Sequence, residues 1–205
     1  MNTNLELKEL ERKIFTSYFN DGMWDLYGGI VLLGFGLTML TNLDYLIVAF
    51  IALAMVPLII RNRVVIPRLG VVKFSPERQA KTRKSKLAAM IALTFTALLG
   101  MVFFILYSAN AMPYWLENWM HDHFLTFFGG MVAVLVLAAA FLVSVKRFYL
   151  YAIAVFIAFF LASTLRSQDM EGIPITVAGG LILSWGIFIL VRFLRNHPQS
   201  QEEIT

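Results

Sequence analysis

The sequence predicts an all-α fold: an integral membrane bundle of six transmembrane helices, preceded by an N-terminal amphipathic interfacial helix. Three observations predict it. Of the 205 residues, 59% are apolar and only 15% are charged, where soluble domains carry about 25% charged residues. Six stretches free of Asp, Glu, Lys and Arg approach the ~20 residues needed to cross a hydrocarbon core of ~30 Å. The basic residues also alternate from one side of these stretches to the other.

The charge-free stretches are roughly 26–43, 45–60, 87–107, 124–145, 148–165 and 172–191, and the spans expected around them are residues 24–41, 43–60, 87–107, 124–145, 148–165 and 173–193, with Asp25, Asp44 and Arg192 near their ends. They are continuously apolar, not alternating, so helices are expected instead of barrel strands. Residues 1–22 form the amphipathic helix, with Leu7, Leu10, Ile14 and Tyr18 on one face and charges on the other. It lacks the apolar core of a cleavable signal peptide, so none is expected. Residues 23–195 form the membrane domain, with a basic loop at 61–86, and residues 196–205 form a tail.

Thr41-Asn42-Leu43-Asp44 is a tight turn joining the first two spans into a hairpin. Pro57 is expected to kink the second. In the following loop, Val64–Pro76 is too apolar for a solvated linker and is expected as an extended hairpin. Glu77–Lys86 is basic and suited to anionic headgroups. Residues 108–123 carry Tyr114, Trp115 and Trp119 and no Lys or Arg, and are expected as an interfacial helix extending the third span. Small residues recur every fourth position: Ala88, Ala92, Thr96 and Gly100; Gly129 and Ala133; Ala154, Ala158 and Ala162; Gly180 and Ser184. Such stripes permit close helix approach in lipid. A weak likeness between Tyr27-Gly28-Gly29 and Phe128-Gly129-Gly130, with a second pair of matching stretches, suggests two inverted halves. Chance likeness of apolar segments is the plainer explanation.

With the N-terminus inside, 16 of the 17 Lys and Arg fall on the inner side and only Arg166 outside. This pattern predicts a plasma or inner membrane protein with both termini cytoplasmic. Its partners are then the bilayer and anionic headgroups at the inner face. A second copy or another membrane protein is left open. The basic run is too short and too close to lipid for nucleic acid.

Four features bear on chemistry. Asp21 and Asp25 are four residues apart at the start of the first span, beside Trp24 and Tyr27. They could hold a cation or a basic loop, with Arg68 or Lys73 as partners. The simpler reading is a helix cap with an aromatic anchor. Glu117 and His121 share a helix face, with Asp122 and His123 adjacent, which is half of a metal site needing Asp169 or Glu171 to complete it. Polar residues at a wet interface is the ordinary alternative, and no metal or other cofactor is expected. No ionisable residue lies in mid-span, which counts against an ion-driven pump. Cysteine is absent and no P-loop, HExxH, GxSxG or CxxC occurs, so no catalytic residue is assigned.

Three stretches resemble patterns in uncharacterised prokaryotic multi-pass membrane proteins: Asp21-Gly22-Met23-Trp24-Asp25-Leu26-Tyr27-Gly28, Pro67-Arg68-Leu69-Gly70-Val71-Val72-Lys73-Phe74, and Arg192-Phe193-Leu194-Arg195-Asn196-His197-Pro198. The resemblance covers most of the chain and implies a bacterial or archaeal plasma-membrane protein with no established activity. The leading functional expectation is a non-enzymatic scaffold, regulatory or lipid-binding component. A small permease or channel is the alternative, and a lipid-directed enzyme using Asp21 and Asp25 comes third.

Overall fold

The computed structural model describes residues 19–69, 112–143, 145–166 and 170–197, together with 87, 90, 91, 94, 95, 98, 100–103, 105, 106, 108 and 109. Every regular element among them is helical. In chain order these are α1 (Met23–Thr41), α2 (Tyr45–Val64), the one-turn α3 (Ile66–Leu69), α4 (Tyr114–Val143), α5 (Lys146–Leu165) and α6 (Gly172–Asn196). Five of them, all but α3, are long and apolar enough to cross a membrane. In the expected span at 87–107 the described residues are helical as well. The N-terminal amphipathic helix expected over 1–22 falls on residues 1–18, outside the described residues, and on 19–22, which form a turn.

Local chemistry accounts for the helix ends. Asn42 closes α1 in the left-handed region, at φ 54°, a conformation that Asn tolerates better than most side chains. The chain then turns through Leu43 and Asp44 into α2, as the sequence predicts. Pro57 lies within α2, which continues past it and one turn beyond the expected end at residue 60. Val64–Leu69 is not extended as expected. The Val65 N–H donates to the Arg61 carbonyl at 2.9 Å and the Arg68 N–H to the Val65 carbonyl at 3.2 Å. Pro67 tolerates this geometry because it lies in the first turn of α3, where its missing N–H is not needed. In the same way Pro174 falls in the first turn of α6.

The segment before the fourth span also differs from expectation. Residues 114–123 do not extend the third span. They are the first third of α4, a 30-residue helix. The Pro113 carbonyl accepts from the Leu116 and Glu117 N–H groups at 2.9 and 3.0 Å, so the helix begins just after the proline. No further proline occurs within the helix. At 1.5 Å per residue α4 is about 45 Å long, so it outreaches a ~30 Å hydrocarbon core.

The chain divides into two compact units: Met1–Phe74 with Gly172–Thr205, and Ser75–Glu171. The grouping joins the first, second and last expected spans, so it does not follow the two sequence halves suggested by the weak repeat. In the second unit α4 packs on α5. A Cβ on Gly129 would stand 2.1 Å from the Phe159 Cβ, and Ala133, Ala140, Ala152, Ala158 and Ala162 are buried. The small-residue stripes of these two helices therefore do meet a neighbour. Phe103 meets Phe127 edge-on at 5.9 Å.

In the first unit α1 packs along α6 and, on another face, against α2. The α1–α6 contact is a seam of glycines. Gly22, Gly29 and Gly36 recur every seven residues, and so do Gly172, Gly179 and Gly186. Seven residues is close to two helical turns, so each trio lines one face. The helices are antiparallel. A Cβ on Gly22 would stand 2.5 Å from the Gly186 carbonyl oxygen, and one on Gly29 would stand 2.6 Å from the Leu183 nitrogen. One on Gly179 would stand 2.4 Å from the Leu33 nitrogen, and one on Gly172 would stand 2.4 Å from the Gly36 carbonyl oxygen. All of these neighbours are backbone, so no side chain can move aside. The Cα hydrogens of Gly22 and Gly172 point along those directions at carbonyl oxygens, a weak but additive attraction. The expected stripe of Gly180 and Ser184 is not the packing face. Gly180 faces open space and Ser184 is exposed.

On its face toward α2, α1 uses Gly34, where a Cβ would stand 2.2 Å from the Phe50 Cβ. Away from that contact α2 exposes many apolar side chains, Val48 and Ile59 at 67% and 62%. A face of that kind is stable toward lipid and unstable toward water.

The seam makes a sharp test. Gly29→Leu and Gly179→Leu are expected to destabilise the first unit by roughly 3 kcal/mol, the upper range for overpacking a rigid contact. Gly28→Leu and Gly180→Leu, beside them but in open space, should shift stability by about 1 kcal/mol or less. Helicity followed through detergent unfolding measures both pairs, and equal losses would sink the assignment of the seam.

Candidate functional site

At one end of the first unit, the start of α1 meets the ends of α2, α3 and α6. The turn at residues 19–21 leads into Gly22, which has φ 79° and serves as N-cap. A side chain there would be strained by the dihedral and would also strike α6. This turn directs Asp21 inward, where it is 0% exposed.

Asp21 uses both carboxylate oxygens. Oδ1 accepts the Met23 N–H at 3.0 Å, which satisfies one of the unpaired amides at the start of α1. Oδ2 accepts Arg61 Nε at 2.5 Å. The capping role read from the sequence is therefore present, and an ion pair is added to it. Asp25, one turn on, is 1% exposed. It packs against α6 where Gly186 leaves room: a Cβ at 186 would stand 2.9 Å from the Asp25 Cβ. Both carboxylates thus fall at the same end and both are buried. Trp24 between them points the other way, 37% exposed, and meets Tyr27 edge-on at 6.3 Å.

Beneath the charges lies an apolar plug. Met23, Val65 and Phe193 are buried together, with Leu26, Leu190 and Leu194 packed around them. One residue from each of α1 and α6, and the residue that links α2 to α3, form its centre. Arg68 crosses to α6, where its Nη1 donates to the His197 carbonyl at 3.4 Å. The His197 ring stacks on Phe193 at 4.5 Å.

Of the residues singled out in the sequence, Asp21, Asp25, Trp24 and Arg68 are thus brought to one end. The expected pairing is different in detail: Arg61 takes Asp21, while Arg68 goes to the end of α6. Lys73 lies outside the described residues. The stretches at residues 21–28, 67–74 and 192–198 meet here, each as far as it is described. Met23 touches the α6 stretch through Phe193, and Arg68 does so through His197.

Sequence reasoning missed Arg61 as a partner because it treated the second span as ending at residue 60, so that Arg61 counted only toward topology. It missed the glycine heptads because it searched at a spacing of four. The sevenfold recurrence in both helices was the available signal.

Only part of the outer metal candidate set lies among the described residues. The carbonyl of Trp119 accepts from His123 Nδ1 at 3.2 Å, and the two rings stack at 5.5 Å with an angle of 11°. The side chain of His121 and the whole of Asp169 lie outside the described residues. Glu117 sits in the first turn of α4. Among the described residues no group of three His, Cys, Asp or Glu could hold a metal ion.

No family model, no curated protein and no solved structure matches the chain.

The ion pair can be tested by a mutant cycle. Arg61→Ala leaves a carboxylate buried without its partner and is expected to cost about 2–3 kcal/mol, below the 3–5 of a fully buried pair because Arg61 is 16% exposed. Asp21→Asn keeps the acceptor for Met23 and should cost less. Added to Arg61→Ala, it should recover at least about 1 kcal/mol. Strict additivity of the two losses would refute the coupling.

Proposed function

We propose that the chain is a multi-pass protein of the plasma membrane, with both termini in the cytoplasm, working as a non-enzymatic scaffold, regulatory or lipid-binding component. The observation that carries this reading is how the polar groups at the arginine end are used. Asp21 caps α1 and pairs with Arg61, and Asp25 is enclosed against Gly186. These are the residues on which a catalytic reading would depend, and their geometry serves helix assembly. The seam beneath them brings backbone against backbone, an arrangement suited to a rigid element and poorly suited to an aqueous path.

The broad apolar faces of α2, α4 and α5 support residence in the bilayer. Orientation follows from charge: Arg61, Arg63, Arg68, Arg192 and Arg195 lie at the arginine end, and basic residues favour the cytoplasmic side. Six spans place both termini there.

The native chain has no cysteine, so single introduced thiols report cleanly. Thr176→Cys in the seam and Thr38→Cys on α1 are expected to resist a membrane-impermeant thiol reagent from either side. Asn62→Cys should react only from the cytoplasm and Tyr114→Cys only from outside. Labelling at Thr176, together with solute flux through reconstituted liposomes, would replace this reading with a permease.

A further inference from the structure

We propose that the arginine end of the first unit is a binding surface for anionic phospholipid headgroups, formed by Arg63, Arg68, Arg192 and Arg195. The proposal rests on the reading of the chain as a membrane-resident component and names the ligand that one of its faces takes. It differs from the headgroup contact expected over residues 77–86, which lie outside the described residues.

The first observation is an imbalance of charge after pairing. Five arginines meet at this end with two aspartates. Asp21 is committed to Arg61, and both aspartates are sealed from solvent. Among the described residues Arg63, Arg192 and Arg195 make no hydrogen bond or ion pair, and all three are exposed. Arg68 makes a single long bond, to the His197 carbonyl. Its Nε is shielded from water and makes no hydrogen bond. A guanidinium so placed is short of acceptors.

The second observation is proximity. Val65 and Phe193 are buried in one cluster, and Arg68 reaches His197. Arg63 precedes Val65 by two residues, and Arg192 and Arg195 flank Phe193. The four arginines therefore lie at one end of the first unit, drawn from two segments more than 120 residues apart in the sequence.

The third is depth. Trp24, exposed on the first turn of α1, marks the headgroup level, where Trp and Tyr concentrate. From Ile173 to Val191 the last helix is free of charge, about 28 Å at 1.5 Å per residue. This matches the hydrocarbon thickness, so Arg192 and Arg195 emerge where phosphates lie. Every cation of the patch is arginine, whose planar fork grips phosphate oxygens in pairs. Two helix C-termini end here, and their negative dipole ends would repel an anion if the arginines did not outweigh them.

Native mass spectrometry on full-length protein from mixed micelles of phosphatidylglycerol and phosphatidylcholine tests the surface. The wild type is expected to retain phosphatidylglycerol preferentially. Arg→Gln at all four positions should abolish that preference, losing roughly fivefold per arginine, the factor that about 1 kcal/mol represents. Arg166→Gln, at the other side in the proposed topology, should leave it intact. If the fourfold variant does not fold, Arg63→Gln with Arg192→Gln, both exposed, should still weaken retention by more than tenfold. Equal retention in variant and wild type would overturn the proposal. So would displacement of the lipid by inorganic phosphate at similar concentrations, which would make the ligand a soluble anion. A chain that binds no anionic lipid yet passes no solute through liposomes overturns the headgroup surface alone. Solute flux with lipid preference intact overturns only the reading of a component that transports nothing.

Discussion

The close approach of α1 and α6 is the contact on which the rest of the first unit depends. In lipid, apolar side chains gain nothing by leaving hydrocarbon for each other, so helices associate through tight packing and polar contacts. Two trios of glycine, each repeating every seven residues, let these two backbones meet without side chains between them. The consequence is topological as well as energetic. The first and last long helices become neighbours, and the start of α1 is brought to the end of α6. Gly186 at the end of the seam also leaves the volume that Asp25 occupies.

The charged end is best understood as a lock on that arrangement. Burying Asp21 is unfavourable unless it is paired and hydrogen-bonded. The Met23 amide is a local partner, so it is the Arg61 pair that ties Asp21 to one register of α1 against α2. A pair of this type contributes little net stability and much discrimination against slipped arrangements, because a slip strands a charge. The plug of Met23, Val65 and Phe193 requires the same alignment from the apolar side. Packing, capping and pairing therefore specify one register, while the remaining arginines are left to face the membrane surface.

The positions of the five long apolar helices were legible because a charge-free run of the right length has one stable destination. The observed helices begin within a few residues of expectation, α4 apart, and the Asn42 turn lies where the sequence places it. The hydrogen bond of Asp21 to the start of α1 was also legible, since Asp before an apolar run is a capping signal, whereas the burial of Asp21 and Asp25 was not. What could not be read locally was which helices pair. The α1–α6 contact joins residues about 150 positions apart, and only matched periodicity in two distant segments hinted at it. Gly180 and Ser184 fit a fourfold stripe as well as Gly179 and Gly186 fit a sevenfold one, and nothing short of a partner backbone distinguishes them. Residues 64–69 are helical instead of extended because Arg61 and the apolar plug draw them against α1 and α6. Residues 114–123 were joined to the wrong neighbour because the role of Pro113 as a helix starter was not weighed.

The central claim is a backbone contact, and it is best measured on the unaltered sequence. Magic-angle-spinning NMR of the isotope-labelled protein in lipid bilayers can detect through-space transfer between backbone atoms of different helices. Cross-peaks are expected between Gly29 and Leu183 and between Gly179 and Leu33, with none from Gly28 or Gly180 to the opposite helix. Absence of the first pair, or cross-helix peaks from Gly28 and Gly180 in their place, would contradict the glycine seam and the placement of Asp25 that follows from it.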